Sequence, residues 1–203
     1  MFVRQLLLVK HTISVAAAAL LFAGSVAAQD HSHHSAAKIV VPAGASYTVA
    51  DVEFMQGMIA HHAQAIYMSR MAASHQANGR VLKLSIKIDQ SQVAEIRIMQ
   101  DWLRNNGQVA PDTSSWRTMT MPGMLTQSQL ATLDSARGVA FDRAYLELMI
   151  QHHEGALKMV EDLLKTPRGG QEVDVGMFAA DVVSVQTAEI GAMRQLLSLL
   201  PDK

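Results

Sequence analysis

The chain of 203 residues contains no cysteine, so neither a disulfide framework nor a thiolate metal ligand is available to it. Any site for a soft metal ion must be built without thiolate, which leaves methionine as the only soft ligand. The chain holds 13 methionines, far more than is usual at this length, together with nine histidines. These two residue types are therefore the first candidates for its chemistry.

The chain also lacks a strong charge of either sign, because 17 Lys and Arg stand against 18 Asp and Glu. This balance gives no indication of nucleic-acid binding. The sequence offers no Ser-His-Asp or Cys-His arrangement that would support hydrolysis. A function in nucleic-acid recognition or hydrolysis is therefore not favoured.

Residues 1–28 have the pattern of a signal peptide. Arg4 and Lys10 precede an apolar run at residues 13–23, and small residues follow it as far as Ala28. The run is shorter than the roughly 20 apolar residues of a spanning helix. We therefore expect cleavage after Ala28, a periplasmic or secreted location and a mature chain outside the membrane, with an uncleaved anchor as the alternative.

Cleavage there would begin the mature chain with Gln29-Asp30-His31, the start of a flexible, His-containing segment over residues 29–46. A histidine at the third position lets the free amine, two backbone amide nitrogens and an imidazole surround a square-planar Cu(II) or Ni(II) ion. The alternative is a disordered polar tail, since His-rich tracts are only a compositional sign of metal binding.

The remainder of the chain is one unit written twice. Residues 51–62 align with residues 142–153, and both segments carry an Asp, an aromatic residue, Met-Ile and His-His in the same order. Residues 92–99 and 186–193 share the pattern Gln-x-x-Glu-Ile-x-x-Met. Each unit is therefore a His-His helix followed by a Glu-Ile helix, which is a helical hairpin.

Apolar residues recur at three- and four-residue steps in these segments, which predicts an all-α four-helix bundle formed by two repeated helical hairpins. A capping box of Thr48 and Asp51 would start the first helix, and Asn78-Gly79 would end it. The later long helices are predicted at about 80–105, 141–165 and 171–200, and Thr126 would cap a short connecting helix. The bundle would occupy residues 47–203, with repeat one at 47–106, a connector at 107–138 and repeat two at 139–200.

Each repeat presents a Met-x-x-His-His group on the apolar face of its first helix. The groups are Met58, His61 and His62 in the first repeat and Met149, His152 and His153 in the second. A single inward histidine is usually a hydrogen-bonded core residue. Two matched pairs on facing helices are typical of a metal site built in a bundle core, so these six residues are the leading candidate ligands.

The residues that precede the histidines indicate which metal is bound. Di-iron bundles place Glu three residues before an inward His, whereas Met58 and Met149 occupy that place here. Imidazole with thioether suits Cu(I), and imidazole with carboxylate also accommodates Cu(II), so copper is expected. Glu95 and Glu189 would orient the imidazoles, or alternatively bond other polar groups. Lower-ranked ligand candidates on the same helix rows are Asp51, Met55, Glu95, Met99, Asp142, Glu189 and Met193.

The connector holds a further methionine group, Met119, Met121 and Met124. Three thioethers in one loop can cluster around a soft ion. The alternative is that these flexible side chains plug one end of the bundle, since methionine fills irregular gaps readily.

The paired histidine motifs, the paired Glu-Ile motifs and the run Met121-Pro122-Gly123-Met124 together resemble the bacterial domain-of-unknown-function family 305. The resemblance covers roughly residues 47–200. It implies a ferritin-like bundle and periplasmic or extracellular copper binding linked to copper resistance. We therefore expect a protein that sequesters copper or transfers it to another periplasmic carrier, with a copper-dependent redox enzyme and a metal-free helical interaction module as the alternatives.

Overall fold

The computed structural model describes residues 39–201, which form helices joined by short loops and one longer connector. The helices are α1 (Val49–Met71), α2 (Gly79–Asn105), α3 (Gln127–Ser135), α4 (Gly138–Lys165) and α5 (Val173–Ser198), with one turn of 3-10 helix at Ser115–Arg117. The described part contains no β-strand. The predicted all-α class is confirmed, whereas the predicted signal peptide and His31 lie outside the described residues.

The helices begin where local hydrogen bonds satisfy their first backbone N–H groups. Thr48 accepts from the Asp51 backbone at the start of α1 while the Asp51 carboxylate accepts in return from Thr48 N, which is the predicted capping box. Thr126 and Gln129 form the same arrangement at α3. The Glu172 carboxylate accepts from Val175 N, so α5 begins at Val173.

The four long helices form two hairpins, α1 with α2 and α4 with α5, and the hairpins meet mainly where α1 packs against α4. Helix α1 is the most enclosed element, with 17 of its 23 residues buried. A helix with only a narrow apolar face keeps its opposite side in water. The sequence of α1 is apolar on nearly all sides, and this places its histidines in the centre of the bundle.

Each hairpin contributes one aspartate that accepts hydrogen bonds from the interhelical loop of the other hairpin. Asp51 at the start of α1 accepts from Gly170 N in the loop between α4 and α5, at 2.7 Å. Asp142 near the start of α4 accepts from the backbone and side-chain nitrogens of Asn78 in the loop between α1 and α2, at 3.1 and 2.6 Å. Both carboxylates are buried. These reciprocal contacts, the aspartate clasps, fix the two hairpins against each other.

Helix α4 begins at Gly138, earlier than the predicted Phe141, because its first N–H group has a partner outside the helix. Gly138 N donates to the His75 carbonyl oxygen at 2.9 Å. The His75 ring in turn bonds Met71 O and the backbone and side chain of Asp134. Helix α3 is thereby held against the end of α1.

The connector between the hairpins passes over the middle of α1 and α4. Gln64 of α1 donates to the Leu125 carbonyl oxygen at 3.1 Å and accepts from Leu125 N at 2.7 Å. At Gly155 of α4 the chain of Pro122 and Gly123 comes so close that a β-carbon would overlap the Pro122 carbonyl oxygen. Within residues 39–201, no helix combines the length and the apolar character that crossing a membrane requires.

Candidate metal centre

Helices α1 and α4 bring four histidines together in the bundle core. His61 and His62 follow one another on α1, as His152 and His153 do on α4, and all four side chains are wholly buried. Because successive helical residues diverge by about 100°, each pair points in two directions. One member of each pair faces the other hairpin, and the second faces the partner helix of its own hairpin.

The inner members are His61 and His152, whose ring centroids lie 3.8 Å apart with an angle of 38° between the rings. His61 Nε2 lies 3.1 Å from the Pro122 carbonyl oxygen. A carbonyl oxygen can only accept, so Nε2 carries the proton and Nδ1 carries the lone pair. Neither ring nitrogen of His152 has a hydrogen-bond partner.

The outer members each contact a glutamate from the second helix of the same hairpin. His62 Nε2 lies 2.6 Å from Glu95 Oε2 on α2, and His153 Nε2 lies 3.0 Å from Glu189 Oε2 on α5. A carboxylate that accepts from Nε2–H fixes the tautomer and the ring orientation, and it leaves Nδ1 unprotonated. These are the pairings that the repeated Glu-Ile motifs predict for Glu95 and Glu189.

The consequence of these contacts is that Nδ1 of all four histidines is buried without a hydrogen-bond partner. Buried polar atoms are rarely left unpaired, because each costs about 1–3 kcal/mol. Three of the four lone pairs are assigned by the bond that the opposite nitrogen makes. The core therefore contains four imidazole nitrogens whose lone pairs are unused.

Burial also determines the charge of the inner histidines. Desolvation, with a smaller contribution from the neighbouring His62, lowers the pKa of His61 from 6.5 to about 3. Desolvation likewise lowers the pKa of His152 well below its ordinary value, and the proximity of His61 adds to the effect. Both rings are therefore neutral near pH 7, which is the form that binds metal ions.

The two glutamates differ in their surroundings. Glu189 is almost fully buried, and Lys87 of α2 reaches its Oε1 atom at 3.3 Å, whereas the side chain of Glu95 is 22% exposed. Burial raises the pKa of Glu189, but the hydrogen bond from His153 and the charge of Lys87 outweigh it, so the net pKa is lowered. Lys87 of the first repeat thus helps to keep Glu189 of the second repeat charged in the core.

In the described part of the chain, no three His, Asp or Glu side chains already converge as a ligand group. His61 and His152 are in contact with each other, whereas the outer imidazoles turn their Nε2 atoms toward separate glutamates.

The model of the family described as a domain of unknown function (DUF305) matches residues 51–197. The chain belongs to the DUF305 family. No curated protein matches it.

Two solved DUF305 structures and the copper-binding protein CopM share this fold. A DUF305 fragment from Deinococcus radiodurans is 30% identical, with a TM-score of 0.66, and the match covers 76% of this chain and 99% of that one. A DUF305 protein from Streptomyces coelicolor, described as a candidate secreted protein, is 29% identical over 73% of this chain and 92% of its own, with a TM-score of 0.63. CopM in its Cu(I)-bound form is 27% identical over 73% and 95%, with a TM-score of 0.59.

The methionines that the sequence singles out as candidate ligands fall into two groups. Met58 and Met149, three residues before His61 and His152, are wholly buried, and so are Met55, Met99 and Met193. The connector methionines Met119, Met121 and Met124 are partly buried.

Asp51 and Asp142 lie apart from the histidines, in the aspartate clasps. Eleven residues of helix separate Asp51 from His62, which is about 16 Å along the axis. Their oxygens are occupied by Thr48, Gly170 and Asn78. The contacts give both aspartates a role in holding the bundle.

The contacts between the connector and the histidine core are not predicted by the sequence. The Pro122 carbonyl oxygen accepts from His61, and Gln64 holds the next turn of the connector. Gly155, which directly follows His152-His153-Glu154, was the available signal, because only a glycine there lets another backbone approach.

Proposed function

We propose that this DUF305 protein binds Cu(I) between α1 and α4 through His61, His62, His152 and His153. The observation that carries the proposal is the set of four buried Nδ1 atoms without hydrogen-bond partners. Binding a metal ion would engage nitrogen lone pairs that otherwise destabilise the core. The ring centroids of His61 and His152 lie 3.8 Å apart, so these two imidazoles are the pair best placed to share one ion.

The preference for copper rests on the softness of the remaining side chains. Met58 and Met149 are buried one helical turn before the histidines and are the first thioether candidates. Imidazole and thioether together suit Cu(I), and the carboxylates would permit Cu(II) as well. Lower-ranked ligand candidates at the core are Met55, Met99, Met193, Glu95 and Glu189, and Met119, Met121, Met124 and His31 are candidates elsewhere in the chain.

The structures of CopM with Cu(I), Cu(II) and silver support a copper function in a protein of similar fold. We propose that the present chain, exported by its leader, sequesters copper in the periplasm or transfers it to another carrier there. This activity would contribute to copper resistance.

The test is competition for Cu(I) between the untagged mature protein and a colorimetric chelator. We expect the wild-type protein to withhold Cu(I) and His61→Ala/His152→Ala to withhold much less. His75→Ala is the matched control, because His75 is buried but its ring nitrogens are already hydrogen-bonded. Equal retention by the wild-type and the double variant would exclude the histidine core as the main copper site.

A further inference from the structure

A groove on the outside of the bundle is lined by three thioethers. It has a volume of about 330 Å³ and lies between α1, the connector and the C-terminal half of α4. Met119 and Met121 enter it from the connector, and Met159 enters it from α4. All three are partly buried, so their sulfur atoms are sheltered without being sealed from water.

Gly57 of α1 makes room for these side chains. A β-carbon at this position would lie 3.0 Å from Met121 Sδ and 3.4 Å from Met159 Cε. Two thioethers from different elements therefore meet above one point of α1, where the helix has no side chain.

The charge at the rim of the groove suits a cation. Glu53 and Asp162 line it beside the thioethers, and no basic side chain does so. Asp162 is paired with Lys158, but Glu53 forms no ion pair with any described residue. Thioether sulfur is neutral, so the nearby carboxylates would balance the charge of a monovalent ion.

The groove is connected to the core through a single peptide unit. Met121 places its sulfur in the groove, and the next residue, Pro122, offers its carbonyl oxygen to His61 Nε2 at 3.1 Å. A movement of this segment would expose His61 and would shift the Met121 sulfur at the same time. The thioether site and the inner histidine are thus adjacent along the chain and in space.

We propose that Met119, Met121 and Met159 form a surface site for a soft monovalent ion, which receives Cu(I) before it passes to His61 and His152. The proposal rests on the histidine core being the copper site. The transfer is an exchange of neutral ligands at a Cu(I) ion of constant charge, so it needs neither an oxidant nor a proton acceptor.

The first experiment detects the site directly, with Ag(I) as the probe. Protein carrying ¹³C-labelled methionine methyl groups is titrated and its assigned methyl resonances are followed. We expect Met119, Met121 and Met159 to shift in the wild-type protein and equally in His61→Ala/His152→Ala. Met177, which is 64% exposed on α5, is the control for non-specific binding and should not move.

The second experiment measures the route by which copper enters. Met119→Leu/Met121→Leu/Met159→Leu keeps the apolar volume but removes the sulfur atoms, so Cu(I) transfer from the chelator should be several-fold slower at unchanged final retention. Gly57→Ala should slow transfer too, because its β-carbon displaces the Met121 sulfur. Gly191→Ala is its control, since a β-carbon at that position meets open space.

The outcomes separate the two proposals. Groove methyl groups that shift while the core binds nothing would support the surface site and contradict the histidine core. Unmoved groove resonances would overturn the surface site, and wild-type transfer rates in the triple leucine variant would overturn its role in copper entry. Neither result would contradict the histidine core.

Discussion

At the scale of single residues, the core holds neutral histidines with ring nitrogens that lack hydrogen-bond partners. His152 is wholly buried and neither of its ring nitrogens has a partner. Each such group costs about 1–3 kcal/mol. Sites of this kind exchange stability for function, since the same groups are satisfied when a ligand is present.

We expect the metal-free protein to lose stability as the pH falls. The pKa of His61 is about 3 in the folded chain and 6.5 ordinarily. Between these values the unfolded chain binds the extra proton, so the free energy of unfolding decreases by about 1.4 kcal/mol per pH unit for each such histidine. The full contribution is present above pH 6.5. Urea unfolding across this range measures the slope.

The variant His152→Leu supplies the comparison for that measurement. It removes one of the two histidines whose pKa is lowered, so the slope should be shallower and the metal-free protein more stable near pH 7. An unchanged slope would show that His152 does not contribute to acid unfolding.

At the scale of elements, the helices were predictable and the connector contacts were not. Glu95 and Glu189 lie where the helical period puts them, and Thr48 caps α1 as its spacing with Asp51 indicates. The contact of Pro122 with His61 cannot be predicted from helical periodicity, because Pro122 lies in the connector. Loops are positioned by tertiary contacts between residues distant in sequence, so their neighbours cannot be obtained from local spacing.

The close approach of the connector to α4 predicts an unusually costly glycine substitution. In Gly155→Ala the new β-carbon would overlap Pro122 O and the Gly123 backbone, and neither can rotate away. We expect a loss of about 1–3 kcal/mol, as for an overpacked core. Gly191→Ala should instead stabilise α5 by about 0.5–1 kcal/mol. Thermal unfolding of both variants tests this, and equal stabilities would show that the connector moves freely.

The methionine one turn before each histidine pair should determine metal selectivity. Met58→Glu/Met149→Glu would create Glu-x-x-His on both helices and move the preference from Cu(I) toward Fe(II) or Zn(II). Without an ion, two new buried carboxylates should lower stability by several kcal/mol, as an order of magnitude.

Thermal unfolding of this double variant with Cu(I), Zn(II), Fe(II) or a chelator measures both effects. Stability that is unchanged in the chelator, together with undiminished Cu(I) affinity, would mean that neither methionine faces the site.

At the scale of the whole molecule, the chain is expected to bind Cu(II) at its mature N-terminus, separately from the Cu(I) sites proposed in the bundle. The mature N-terminus Gln29-Asp30-His31 should give a square-planar Cu(II) spectrum that His31→Ala abolishes. Cu(I) retention by the histidine core should persist in that variant. A mass spectrum showing a cyclised Gln29, or a different first residue, would contradict the N-terminal site.

The aspartate clasps have a consequence for the origin of the fold. Asp51 grips the loop of the second hairpin, and Asp142 grips the matching loop of the first. Reciprocal contacts of this kind are typical of an isologous interface, in which identical subunits meet about a two-fold axis. A single hairpin therefore carries both the grip and the surface that it grips. Duplication of one hairpin sequence would produce both clasps and the repeated histidine pairs.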